Sequence, residues 1–372
     1  MAKYTLLNGY PGAKAVYTAK LHMLLNKEAE TYIEPFVGGG SMLLSLHKGR
    51  YKKEIINDRN IGIACLYKSL WMEERREKTL KALLKIEKSQ DKGIAEEHWK
   101  EVKKYLMPEI RFSVFREKEN YVKNCVNTFT LYSQSFNCSG LSYSHHKNPE
   151  QYKRETKRNL LKVVETLKGR NLEVRCGDGM NCLEPEYLRD PKVQYFMDPP
   201  YVGLYCSSRT NYLVTMLKLE EHIEMLEGIR NAKASIILCG YRPPVKGVPC
   251  IYDVFLSKAG WHCYKLEDTV KKSQVIMKPG KKKDDASEYV WVNHVPDDAK
   301  YYVSMQDYKE DISWEEYWEK IKECYKNQLI SSKDMLEYYD AYEWYYNGQR
   351  KLVSDEEYSR IVEDSKKSKR KK

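Results

Sequence analysis

The run Tyr195-Phe196-Met197-Asp198-Pro199-Pro200-Tyr201 leaves little choice of local structure. Its apolar, aromatic first half, opened by Val193, reads as a buried strand, and the two prolines cannot continue a ladder of hydrogen bonds. Asp198 therefore stands at the carboxyl end of a strand, the edge at which open α/β sheets bind ligands. A carboxylate accepts hydrogen bonds, stiff prolines aim their carbonyls one way, and a tyrosine ring offers a flat face. Those parts suit a planar amine. Asp-Pro-Pro by itself also serves to end a strand and begin a loop, so its meaning depends on the rest of the chain.

Upstream, Thr31 to Ser41 passes from a short β-prone run into Gly38-Gly39-Gly40 and then into the apolar helical stretch Met42 to Leu46. A strand, a glycine loop and a helix in that order let a nucleotide approach the backbone closely. Some twenty residues beyond Glu34, the run Glu54 to Asp58 forms a second strand ending in an acid, the spacing at which α/β folds place a carboxylate on ribose hydroxyls. Capping of a helix over Ile61 to Trp71 is an alternative role for Asp58. Tyr10 to Lys14 is turn-like and leads into a helical pattern through Leu21, Leu24 and Leu25.

Between about Glu73 and Asn148 the α/β rhythm is interrupted. Charged helical patterns over Glu73 to Lys88 and Glu96 to Leu106 lead to Thr128 to His146, where amides, hydroxyls, aromatics and turn formers suit a base-reading hairpin or loop. The rhythm then resumes with a helix over Tyr152 to Leu167, strands at Leu172 to Asp178, Ala234 to Gly240 and Glu288 to Asn293, and a lysine-rich loop from Lys271 to Asp285. Ser313 with Glu316 and Ser354 with Glu357 have the spacing of capping boxes, which predicts helices beyond about Tyr301 and then a disordered basic tail.

A net charge of +11 points toward a polyanionic partner, although the tail from Lys366 to Lys372 supplies part of it. Thirty-one tyrosines against seven phenylalanines favour surfaces that meet bases or polar ligands. Ten cysteines without a Cys-x-x-Cys pair and eight histidines without His-Glu-x-x-His favour neither zinc nor a disulfide framework, so no metal is expected. No apolar run approaches the roughly 20 residues needed to span a bilayer, and no signal-peptide pattern opens the chain, so a soluble cytoplasmic protein is expected.

With these motifs in order, the chain resembles the Dam-like, D12 class of DNA adenine methyltransferases found in bacteria and their phages, over roughly residues 4 to 297. Tyr10-Pro11-Gly12-Ala13-Lys14, Glu34-Pro35-Phe36-Val37-Gly38-Gly39-Gly40 and Asn57-Asp58 resemble its cofactor motifs; Asp198-Pro199-Pro200-Tyr201 resembles its catalytic motif. The resemblance implies an α/β, Rossmann-like methyltransferase sheet in two parts, 1–72 and 151–298, around a mainly helical target recognition domain at 73–150. A C-terminal helical appendage (299–365) and a basic tail (366–372) have no counterpart in a minimal family member. The implied catalytic residues are Asp198, Pro199 and Tyr201, with Tyr201 stacked on a flipped adenine. S-adenosylmethionine would be held by Tyr10, Lys14, Glu34, Phe36, Gly38, Gly40, Asp58, Asp178 and Asp198. Candidate contacts to double-stranded DNA are Arg111, Arg116, Ser133, Gln134, Asn137, Ser142 and His145, and a cognate restriction endonuclease is a further candidate partner. The 4-amino group of cytosine as acceptor, a DNA-binding module without catalysis, and a dinucleotide enzyme are the competing readings. Residues 132–140 match the family's recognition hairpin loosely, so its familiar GATC target does not transfer.

Overall fold

A computed structural model describes residues 5–112, 117–145, 149–206, 218–266, 287–301 and 307–370. Among them, seven strands form one sheet in the order β3-β2-β1-β4-β5-β7-β6. The strands are β1 (Thr31–Glu34), β2 (Lys53–Asp58), β3 (Leu172–Cys176), β4 (Val193–Met197), β5 (Ser235–Gly240), β6 (His262–Lys265) and β7 (Tyr289–Val292). The first five run parallel, and β7 is antiparallel to both of its neighbours. The lysine-rich stretch from Lys271 to Asp285 lies outside the described residues.

The helices are α1 (Thr18–Met23), α2 (Ser41–Ser45), α3 (Ile61–Trp71), α4 (Glu73–Leu84), α5 (Lys92–Phe112), α6 (Glu117–Ser133), α7 (Pro149–Leu167), α8 (Pro185–Arg189), α9 (Leu219–Ile229), α10 (Ile251–Leu256), α11 (Trp314–Lys326), α12 (Ser332–Tyr345) and α13 (Asp355–Arg370). Successive strand residues point to opposite faces, and the two cores follow that alternation. Tyr32, Ile56, Phe196 and Ile237 meet side chains of α3 to α7 on one face, including Leu66, Trp99, Phe129 and Val163. Ile33, Ile55, Tyr195, Met197 and Ile236 meet α9 and α10 on the other. Every residue of β4 and β5 is buried, as expected for parallel strands covered on both sides.

The C-terminal helices belong to that second core. Tyr317, Trp318, Ile321 and Tyr338 are buried in it beside Ile223 and Phe255. The Ser313 and Glu316 capping box is complete, and Ser354 Oγ accepts from the Glu357 N–H at 3.2 Å. A further box opens α12 with Ser331 and Asp334; the sequence pattern missed it because Asp replaces the usual Glu or Gln. The basic tail, expected to be disordered, is helical through Arg370. Lysine and arginine are good helix formers, and Lys367 lies 3.9 Å from Glu363 and 3.4 Å from Asp364.

Among the described residues no helix is long and apolar enough to cross a membrane, and no cluster of His, Cys, Asp and Glu is arranged to hold a metal ion. All ten cysteines are free thiols.

Candidate active site

The strand order reverses between β1 and β4. The connections leaving β1 and those leaving β4 run to opposite sides, opening a crevice at the strands' carboxyl ends. In-register pairing of Ile33 with Tyr195 sets Glu34 and Asp198 on either side of it. One cavity there is lined by Tyr10, Lys14, Glu34, Phe36, Gly38, Gly40, Asp58, Asp178 and Asp198 together, all nine positions expected to hold a cofactor. Pro200 also lines it, whereas Pro199 and Tyr201 do not.

The glycine loop is shaped by its neighbours. Val37 N–H donates to the Asn57 carbonyl at 2.9 Å, and Gly38 N–H to Asp58 Oδ2 at 2.8 Å. Gly40 has φ +67°, and a Cβ there would stand 2.1 Å from the Tyr67 hydroxyl. Gly38 has φ +45° and would bring a Cβ within 2.9 Å of the Tyr10 ring. Only glycine meets both demands, a left-handed backbone and no side chain.

Asp58 Oδ1 also accepts from Asn60 N–H at 2.7 Å, so this carboxylate braces the loop. The cap of α3 is Asn60, whose side chain accepts from Gly62 N–H, and not Asp58. Asp178 is exposed and accepts from Met180 N–H at 3.0 Å at the start of a single 3-10 turn.

Asp198 sits in a cluster that no local pattern announces. Lys14, only 2% exposed, donates to Asp198 Oδ2 at 2.8 Å and to the Gly12 carbonyl at 2.6 Å. The Tyr201 hydroxyl lies 3.0 Å from Asp198 Oδ1 and 2.6 Å from Glu288 Oε2, and Lys14 Nζ is 3.7 Å from the same Glu288 oxygen. Sequence reading placed Lys14 with the cofactor; it touches Asp198, the expected catalytic acid, as well. Glu288 was read only as the start of a strand. Tyr201 departs from expectation: the residue is 7% exposed, its ring edge-on to Tyr241 at 4.4 Å and under Lys14 at 5.1 Å, so it presents no open face for stacking here. Burial, reinforced by Asp198 and Glu288, keeps its phenol neutral far above the ordinary range.

Burial raises the Glu34 carboxyl to about 8, with Asp198 adding to the shift, while hydrogen bonds from Tyr32 and Leu43 oppose it. Asp58 is raised to about 6, again by burial, against the N–H groups of Asn60 and Gly38. A carboxyl whose folded pKa exceeds its unfolded one holds its proton more tightly when folded, so stability falls as pH rises between the two values. The windows run from 4.5 to about 8 for Glu34 and from 3.8 to about 6 for Asp58. The melting temperature is therefore expected to decline from about pH 5 to about pH 8 less steeply in Glu34→Gln than in the parent protein. Equal slopes in scanning calorimetry would reject this.

The model of the family described as D12 class N6 adenine-specific DNA methyltransferase matches residues 10–240, more than half the chain. The chain belongs to that family. The Type II methyltransferase M.MjaIII of Methanocaldococcus jannaschii is 23% identical over 304 residues, covering 77% of this chain and 97% of the relative. The protein is thus an adenine-specific DNA methyltransferase with the Rossmann-like sheet of its family. The family's acceptor is adenine rather than cytosine, which speaks against the cytosine and dinucleotide readings.

The methyltransferase deploys its predicted DNA contacts unevenly. Helix α6 continues through Ser133, whose hydroxyl donates to the Phe129 carbonyl at 2.5 Å, the usual fate of a serine inside a helix. Gln134 is 1% exposed, with its amide 3.5 Å from the Glu87 carbonyl. These two side chains face inward and do not present themselves to DNA. The expected hairpin starts only after them, closed by a bridge between Ser135 and Tyr143. Asn137, at φ 50°, and Ser142 lie exposed on it; His145, also exposed, lies 3.2 Å from Glu96. Arg111 is on α5, and Arg116 lies outside the described residues.

The segment between β2 and β3 also reaches the cavity. Tyr132 and Ser139 line it, and Tyr132 accepts from the Asn60 amide. Lys88 holds the loop from behind, donating to the Ser144 carbonyl at 2.7 Å and lying 4.8 Å from the Tyr143 ring centre.

Proposed function

We propose that this methyltransferase takes its methyl group from S-adenosylmethionine and transfers it, at specific sites in duplex DNA, to the 6-amino group of an adenine swung out of the helix. One observation carries the reading: the glycine loop, Lys14 and Asp198, from three separate parts of the chain, line one cavity at the sheet's switch point. The cradle fits the donor in kind. Gly38 and Gly40 bring a left-handed turn of backbone to the cavity wall, Tyr10 and Phe36 supply aromatic walls, and Glu34, Asp58 and Asp178 supply acceptors for ammonium and hydroxyl groups. When bound, S-adenosylmethionine supplies a methyl group activated by its sulfonium charge.

The chain's own residues handle the acceptor. An adenine amine is a poor nucleophile because its lone pair is delocalised into the ring. The Asp198 carboxylate and the Pro199 carbonyl accept its two N–H groups and favour the tetrahedral nitrogen that attacks, stabilising charge as it develops. Fixed alignment of donor and acceptor supplies the rest. Extruding the base costs a few kcal/mol, offset by contacts in the pocket. The Tyr201 hydroxyl stands 3.0 Å from Asp198 Oδ1; stacking of its ring on the base would require movement away from Tyr241. Asn137, Ser142 and His145 are the exposed candidates for reading the site, and a cognate restriction endonuclease is proposed from the likeness to a Type II enzyme.

Incubation of the protein with unmethylated plasmid and labelled S-adenosylmethionine, followed by digestion to nucleosides, should yield label in N6-methyldeoxyadenosine. Label in the cytosine nucleoside, or none in DNA, would overturn the reading. DNA affinity should fall steeply as salt rises, because phosphate contacts release counterions.

A further inference from the structure

We propose that Glu288 is a positioning residue for methyl transfer: by taking the Tyr201 hydroxyl proton as its acceptor, it keeps Asp198 Oδ1 open to the adenine amine. The inference rests on the reading of Asp198 as the amine's acceptor and goes beyond it.

Glu288 reaches the site because β7 runs antiparallel to β5. Tyr289 pairs with Gly240, so β7 begins at the edge where the parallel strands end, and Glu288, the residue before it, stands at the rim just beyond the level of Asp198. Its backbone is held there by Leu266 N–H, which donates to the Glu288 carbonyl at 2.9 Å. The side chain is almost fully enclosed, 8% of the residue being exposed.

A phenol has one proton and two neighbouring carboxylates compete for it. The bond to Glu288 Oε2, at 2.6 Å, has the length of a charge-assisted O–H···O bond, whereas the 3.0 Å approach to Asp198 Oδ1 does not. The proton therefore points at Glu288. Lys14 already occupies Asp198 Oδ2, leaving Oδ1 as the oxygen for the amine. With the phenol turned away, Oδ1 and the Tyr201 oxygen face each other as two acceptors, and an N–H donor is what would relieve them. Without a carboxylate at 288 the phenol would turn to Asp198 and compete with the substrate for Oδ1.

The test is a double-mutant cycle in full-length protein, reading methyl transfer to plasmid DNA. Glu288→Met, which removes the acceptor at similar length, is expected to lower kcat about tenfold while KM for S-adenosylmethionine moves less than about twofold, since the lost effect lies in the transition state. In a Tyr201→Phe background, with no phenol proton to compete, the same change should alter kcat by less than about twofold. An equal loss in both backgrounds, or a KM that moves as far as kcat, would overturn the proposal. If Glu288→Met does not fold, Glu288→Asp, which withdraws the carboxylate by one methylene, carries the cycle: a smaller loss again abolished by Tyr201→Phe supports it, and an equal loss in both backgrounds overturns it. Asp198→Ala separates the two levels: full activity there defeats the acceptor reading itself, while an inactive Asp198→Ala beside an additive cycle defeats only the role of Glu288.

Discussion

Asp198→Ala is expected to cut methyl transfer about 10²- to 10³-fold, the scale on which a preplaced polar group acts when it serves mainly the transition state. Binding of S-adenosylmethionine, followed by calorimetry, should change little. The glycine loop that would carry most of the cofactor is braced by Asp58 and Asn57, neither of which touches Asp198 in that brace. The substitution strands part of the charge on Lys14, which keeps the Gly12 carbonyl at 2.6 Å and Glu288 at 3.7 Å. Asp198→Asn preserves shape and one carbonyl oxygen but not the charge that faces Lys14, and should retain more activity than Asp198→Ala in radiolabelled transfer to plasmid DNA. Substantial residual activity in Asp198→Ala would remove Asp198 from the reaction.

The largest loss of stability is expected from Arg170→Ala, far from the chemistry. Arg170, 5% exposed, donates to Glu54 Oε1 at 2.5 Å, to the Leu46 carbonyl at 2.5 Å and to the Thr166 carbonyl at 2.9 Å, tying together the entries to β2 and β3, the end of α2 and the end of α7. Glu54 is 2% exposed, and its second oxygen has no partner among the described residues. Burial already raises its carboxyl above the usual range in spite of Arg170. Removing one member of such a pair costs about 3–5 kcal/mol, because the other charge stays buried and uncompensated. Set against a typical total of about 5–15 kcal/mol, that is a large share. Replacing both, as in Arg170→Met with Glu54→Leu, should cost much less, since no charge is then left inside. Urea midpoints of the three proteins decide the matter, and a double variant no better than Arg170→Ala would reject the account. Because β2 ends in Asn57 and Asp58, the single variant should also lose cofactor binding on warming before the parent does.

Several features were legible without coordinates because they are local. A proline pair after an apolar run ends a strand wherever it occurs, so Asp198 follows β4 directly. Gly38 and Gly40 signalled a backbone that no other residue adopts cheaply, and both have positive φ. Other features were misread for equally physical reasons. Thr128 to Ser133 contains the polar types that suit a reading loop, but their neighbours Phe129, Leu131 and Tyr132 are buried in the core of one face, and tertiary burial made the segment helix. The short strand β6, with only Cys263 and Tyr264 buried, has too little pattern to be noticed until β7 supplies its hydrogen bonds.

Sequence by itself determined the pieces: strands ending in acids, a glycine turn, capped helices, and the motifs that mark the family. Only the tertiary structure decided which pieces meet. Lys14 and Asp198 stand 184 positions apart and share a 2.8 Å bond because β1 and β4 are neighbours at the point where the sheet changes direction. Glu288 arrives there because its strand runs backward, and the helices of the C-terminal segment complete the second core. Periodicity along a chain says which face of an element is apolar, since that depends on bond geometry alone. It is silent on what covers that face, because partners are chosen by a competition among all the apolar surfaces the chain can bring together.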